Sequence, residues 1–235
     1  MLITAEAIVL RAIAHGDRSV VLKSWTRHAG ARSYLVRVGA KGQQAALQPL
    51  SRIEIIADER PDRELHPARS VRVTRPFLRI PFDPIRGAVA LFVQELFYRV
   101  LRAESADEEL HEAVEEIIEA IDSQDDLRWL PHQVLVRLSG PMGFRPELPE
   151  EGVDHFDLQE GRFVPAGVRH DHLLAPPLST ALSELIRAEF NAAPAIVATS
   201  AQRKELLDRL LLYYRLHLEA MGVMRSPAVL HAVLG

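Results

Sequence analysis

The chain has 235 residues, 48% of them apolar, so it can bury a substantial core and global disorder is excluded. It has no cysteine, which excludes disulfides and cysteine-ligated zinc. Charge is split by position: residues 1–80 carry 14 Lys and Arg against 7 Asp and Glu, whereas residues 81–235 carry 14 against 25.

A basic module attracts polyanions by sequence-independent electrostatics, and an acidic one repels them. The split therefore points to nucleic acid for the N-terminal third and to another task for the rest. Met1 to Leu10 lack the basic start and small-residue cleavage site of a secretory leader. The longest apolar stretch, Ala88 to Leu101, is broken by Gln94, Glu95 and Arg99 and is too short to span a bilayer. These features predict a soluble, cytoplasmic protein. Of 28 cations only Lys23, Lys41 and Lys204 are lysine. Arginine suits phosphate recognition, although a GC-rich genome gives the same bias.

Residues 4–75 read as strands and turns. Ala7 to Ile13, Val20 to Trp25, Ser33 to Val38, Arg52 to Ile56 and Arg69 to Thr74 are short runs rich in Val, Ile and Leu. His15-Gly16-Asp17, His28-Ala29-Gly30 and Gly39 to Gly42 separate them with turn chemistry. Five short strands in so few residues predict a small closed barrel, because closure removes exposed edges. Pro76, Pro81 and Pro84 then end the strand pattern and form an elbow.

Helical spacing follows at Ile85, Val89, Phe92, Leu96 and Val100. Ser105 to Glu108 reads as a capping box that opens an acidic helix through Ile121. Leu130 to Leu138 reads as a third helix. Residues 144–178 are rich in proline and glycine and hold a short hairpin around Phe156 to Phe163. Thr199 to Gln202 is a second capping box. It opens a helix from Leu206 to Met221 that is apolar almost all round and is expected at the centre of the helical core. The fold class is α+β: a five-stranded barrel over residues 1–80 and a mostly helical domain over 81–235.

Catalytic motifs are absent: there is no P-loop, no dinucleotide fingerprint, no nucleophile elbow and no His-Glu-x-x-His. Glu108-Glu109 and Glu115-Glu116 read as a solvated helix face. His155, His170 and His172 lie in a proline-rich loop and lack the spacing of a ligand set. No catalytic residue, metal site or cofactor is expected. The basic module is the better lead. Arg32, Arg37 and Lys41 lie along one strand and its turn, and Arg11, Lys23 and Arg72 add charge from other strands. Cations that track a barrel surface form a phosphate groove. Trp25 and Tyr34, the module's only aromatics before the elbow, read as core residues.

The order of segments resembles the RecO family of recombination mediators, in the form seen in Bacteroidetes-like bacteria. The matching stretches are Ala7 to Leu10 with Gly16-Asp17-Arg18-Ser19, Gly30 to Gly42, Leu47 to Ser51, Pro76 to Pro84, Ala90 to Leu96, Gly143-Phe144-Arg145-Pro146 and Tyr213 to Leu218. The resemblance implies an OB-fold followed by a helical domain. It also implies binding of single- and double-stranded DNA, annealing of complementary strands, and partnership with RecR and with single-strand-binding protein, so that RecA can be loaded. It places Arg32, Arg37 and Lys41 where the family uses basic residues for DNA, and it implies a nucleoid-associated location. One departure is clear. Many members carry a four-cysteine zinc knuckle near positions 145–175, where this chain keeps only the hairpin, as a zinc-less lobe. A protein-interaction scaffold built on the acidic helices and a nuclease using the histidines remain as alternatives.

Overall fold

The computed structural model describes residues 1–39, 43–60, 62–168, 170–190 and 192–234. The chain forms two compact units, Met1–Ile118 and Glu119–Gly235. The first is built on five strands: β1 (Leu2–Ala14), β2 (Ser19–Thr26), β3 (Gly30–Arg37), β4 (Arg52–Asp58) and β5 (Leu65–Arg75). They close into a barrel in the order β1-β2-β3-β5-β4, with β4 returning to β1. All pairs are antiparallel except β3 with β5. This is the order of an OB-fold, and a short helix α1 (Gln43–Ala46) sits between β3 and β4.

Alternation decides what the barrel holds. Ala7, Val9, Leu22, Tyr34, Val36, Ile53, Ile55 and Val71 fill its interior. The outer face is partly covered as well. Trp25, Ile8 and Arg52 lie in register across β2, β1 and β4, and all three are buried. Trp25 and Tyr34 are thus both packing residues, as their patterns predict. Helix α2 (Pro84–Val100) packs against β1 and ties Gln94 Nε2 to the Leu10 carbonyl at 2.6 Å. The chain after α2 runs back to the barrel, where the Ala31 amide donates to the Ala103 carbonyl at 2.9 Å. Gly30 permits this approach. Its φ is +67°, and a Cβ there would stand 2.3 Å from the Ala103 carbonyl oxygen.

The elbow contains a 3-10 turn over Ile80–Phe82. Asp83 caps α2 by accepting from the Ile85 and Arg86 amides, and Pro84 occupies the first turn. Helix α3 spans Glu108–Ser123. Its cap is Asp107, which accepts from the Leu110 amide at 2.9 Å, rather than Ser105 as the spacing suggests. Asp and Ser serve equally well as caps, so two neighbouring candidates could not be ranked by type alone.

In the second unit, α4 (Leu130–Ser139), α5 (Leu178–Arg187) and α6 (Ser200–His217) pack on one another, and α7 (Ser226–Leu234) follows. Tyr214 donates to the Leu135 carbonyl at 2.7 Å and Tyr213 to that of Phe144 at 2.5 Å. The capping box at Thr199 and Gln202 is present with both hydrogen bonds. Helix α6 is not apolar all round, however. Lys204, Glu205, Asp208, Arg215 and Leu216 form a solvent face, because Leu216 falls on the side opposite Leu210 and Tyr214. The hairpin of β6 (His155–Asp157) and β7 (Arg162–Val164) pairs Phe156 with Phe163, and β8 (Leu173–Leu174) joins it as a third strand. No helix among the described residues is long and apolar enough to cross a membrane.

Candidate nucleic-acid interface

A groove of about 960 Å³ lies on the first unit, along the rim of the barrel. β2 contributes Lys23 and β3 contributes Arg32. The β4–β5 connection supplies Arg60 and Arg63, and the end of α2 supplies Tyr98 with Arg102 just beyond it. Because the groove crosses the rim, it takes residues from both faces of β3. Lys23 is in register with Ser33 and donates to its hydroxyl at 2.8 Å, which leaves two ammonium protons for a ligand. Arg32 gives one N–H to the Ala31 carbonyl at 2.8 Å and keeps four.

Arg11 stands directly opposite Lys23 on β1, and its guanidinium lies 5.2 Å from the centroid of the Tyr98 ring. Like charges directly opposed on neighbouring strands are destabilising. A pair kept despite that cost suits a site where an anion bridges both cations. The remaining predicted residues lie elsewhere. Arg37 is five positions beyond Arg32 on β3, hence on the opposite face and roughly 16 Å further along the strand. Arg72, on β5, is in register with Glu54 and bound to it by two hydrogen bonds of 2.7 and 3.0 Å. Those bonds hold the Glu54 carboxyl below its ordinary pKa. Lys41 lies outside the described residues. Arg60, Arg63, Tyr98 and Arg102 carry no mark in the sequence. The first two sit in a mixed-charge loop, and the others lie beyond the basic module.

Carboxylates also line the groove, at Glu59, Asp62, Glu64 and Glu104. Glu59 is already engaged. It accepts from Tyr34 Oη at 2.5 Å and lies 3.3 Å from His28 Nε2. Burial pushes the Glu59 carboxyl up, but these two hydrogen bonds outweigh it and hold the group ionised below its ordinary range. Burial, reinforced by Glu59, raises the Tyr34 phenol well above its ordinary value, so Tyr34 remains a neutral donor.

The histidines of the hairpin lobe form local pairs. His155 bonds Asp154 at 2.7 Å and His170 bonds Asp157 at 3.0 Å. Among the described residues no group of three or more His, Asp or Glu is placed to hold a metal ion. With no cysteine in the chain, the lobe does not fit a thiolate zinc site.

A closed five-stranded barrel in the order β1-β2-β3-β5-β4 defines an OB-fold protein, here with a helical unit following in the chain. Comparison with known proteins makes the class specific. Residues 1–77 match the family model for the recombination protein O N terminal domain, and residues 81–226 match that for its C terminal domain. A DNA repair protein RecO of Porphyromonas gingivalis is 32% identical over 98% of both chains. That of Phocaeicola vulgatus is 31% identical over 98% of both, and that of Christiangramia forsetii is 26% identical over the full length of both. The chain belongs to the RecO family of DNA repair proteins.

Proposed function

We propose that this protein is a non-enzymatic recombination mediator. It binds single- and double-stranded DNA along the barrel groove and anneals complementary strands. With RecR, it helps load RecA onto DNA covered by single-strand-binding protein, in the cytoplasm at the nucleoid. The observation that carries the DNA reading is that Lys23 and Arg32 line one groove, with Arg11 opposed to Lys23 across β1 and β2. In this reading these three contact phosphate, Arg37 extends the contact along β3 away from the groove, and Lys41 adds a further cation to the binding. Arg72 contributes once it is released from Glu54. Annealing needs no covalent step: cations that neutralise phosphates on two strands lower their mutual repulsion, and base pairing does the rest.

The test is a strand-annealing assay with complementary oligonucleotides, naked and coated with single-strand-binding protein. Acceleration in both cases is expected, and loss of the acceleration on replacing Arg11, Lys23 and Arg32 together with alanine. A wild-type protein that neither binds nor anneals DNA would overturn the reading and favour a scaffold built on the acidic helices.

A further inference from the structure

The chain contains two Trp, four Tyr and eight Phe, and among the described residues only one of them, Phe82, is exposed. It is 82% exposed. A Phe ring left in water forgoes the favourable free energy of burying it, so its position asks for a partner. The backbone that carries the ring is anchored. Phe82 closes the 3-10 turn with its amide on the Arg79 carbonyl at 3.0 Å, and Pro81 and Pro84 brace it on either side. The next residue, Asp83, caps α2 and lies 3.2 Å from the buried Arg86 guanidinium. With the backbone anchored, only the two side-chain torsions of Phe82 are left to order when the ring meets a ligand.

Its surroundings indicate the ligand's charge. Between Leu65 and Phe82 the sequence holds Arg69, Arg72, Arg75 and Arg79 and no carboxylate. Arg75 and Arg79 are exposed beside the turn. An exposed aromatic on an anchored turn at the end of a basic run suits a polyanion that also presents flat apolar faces. An unpaired stretch of nucleic acid is such a molecule, since every base has a π-face and every link a phosphate. Duplex DNA is not, because its bases are already stacked.

We infer that Phe82 is a stacking platform for an unpaired base, separate from the phosphate contacts of the barrel groove. The inference rests on the DNA-binding reading above and adds a means of distinguishing single strands from duplex. The experiment compares the wild-type protein with Phe82→Ala and Phe82→Trp, using an oligothymidine and a blunt duplex of equal length. Phe82→Ala should weaken oligothymidine binding by about 5- to 150-fold, the effect of losing one base–aromatic stack, with the salt slope and duplex affinity unchanged. Phe82→Trp should keep the affinity and show tryptophan emission quenched by the oligothymidine. The native Trp25 and Trp129 are buried, so the new signal is separable.

Equal affinity of Phe82→Ala and wild type for oligothymidine would overturn the inference while leaving the groove reading intact. So would an unquenched emission in the Phe82→Trp variant, or a loss equal for single strand and duplex. If Phe82→Ala keeps all DNA affinities but fails to bind RecR or single-strand-binding protein, the elbow is a protein contact and the inference is wrong. A wild-type protein that binds no DNA would reject both readings.

Discussion

The groove's cations set the groove's own share of the salt dependence. Among the described residues Lys23, Arg32, Arg60, Arg63 and Arg102 line it, five cations in all. If each meets one phosphate of a single strand, log affinity should fall with log salt at a slope of about −3.5, since each contact contributes about −0.7. Between 50 and 200 mM salt that is a loss of roughly 100-fold. Replacing Lys23 and Arg32 with alanine removes two contacts. The slope should become about −2, and the same salt change should cost only about 20-fold. Fluorescence anisotropy of a labelled oligonucleotide over a salt series measures both slopes. The loss should be similar for every base sequence, because phosphate contacts carry no sequence information. An unchanged slope in the variant would remove Lys23 and Arg32 from the interface. A wild-type slope near zero would refute the electrostatic mechanism itself.

Acid should weaken the second unit through His132. Burial holds its pKa at about 4, against an ordinary value of 6.5, with Arg203 and His231 adding to the effect. The unfolded chain binds a proton below pH 6.5 that the native state refuses, so stability falls from pH 6.5 to about 4 and levels off below, a loss of about 3 kcal/mol. His132→Gln can still donate to the Arg203 carbonyl, which His132 Nε2 meets at 2.8 Å, and should flatten this part of a denaturation-against-pH curve. An identical slope in the variant would show that another group is responsible. Thr199→Ala removes the cap of α6 and should cost about 1 kcal/mol by urea denaturation, with no effect on DNA affinity. Glu115→Gln leaves the buried Arg52 guanidinium without its 2.6 Å carboxylate partner. It should lower stability by about 1–3 kcal/mol without strengthening DNA binding, and tighter binding would mean that Arg52 belongs to the interface.

The barrel was legible because its strands alternate. Arg52-Ile53-Glu54-Ile55 and Ser70-Val71-Arg72-Val73 show which side faces in, and the turns between strands carry Gly and Asp. Helices α2 and α6 were legible from apolar spacing and a capping box. Helices α5 and α7 were not. Each begins at a proline, Pro177 and Pro227, and the proline-rich stretch before Leu178 obscured the spacing of Leu178, Ala181, Leu182, Leu185 and Ile186. Proline at a helix start is favourable, so proline at these positions is compatible with a helix opening there. The groove was only half legible. Lys23 and Arg32 could be named as basic, yet strand register decides that Arg32 reaches the rim while Arg37 turns away. Tyr98 comes from the far end of α2 and Arg102 lies just beyond it, and no local pattern links them to β3.

The division of charge along the chain also has a different meaning in three dimensions. The excess in residues 1–80 is not all available to a ligand. Arg27 pairs with Glu6 and Glu108, Arg52 with Glu115, Arg60 with Asp58 and Arg72 with Glu54. Two of those partners, Glu108 and Glu115, belong to the acidic helix α3. That helix therefore acts partly as a counter-ion to the barrel's outer face, in addition to presenting a surface that repels DNA. Arg27, Arg52 and Arg72 are thereby occupied, so under the proposed function the cations at the rim are the ones offered to a phosphate backbone. The exposed pairs among them contribute little stability each, so their stronger effect is on the field around the barrel. Under the proposed function it restricts a diffuse basic surface to a track running past Arg11, Lys23 and Arg32. A track of that kind positions a strand without reading its sequence, as annealing of arbitrary complementary strands requires.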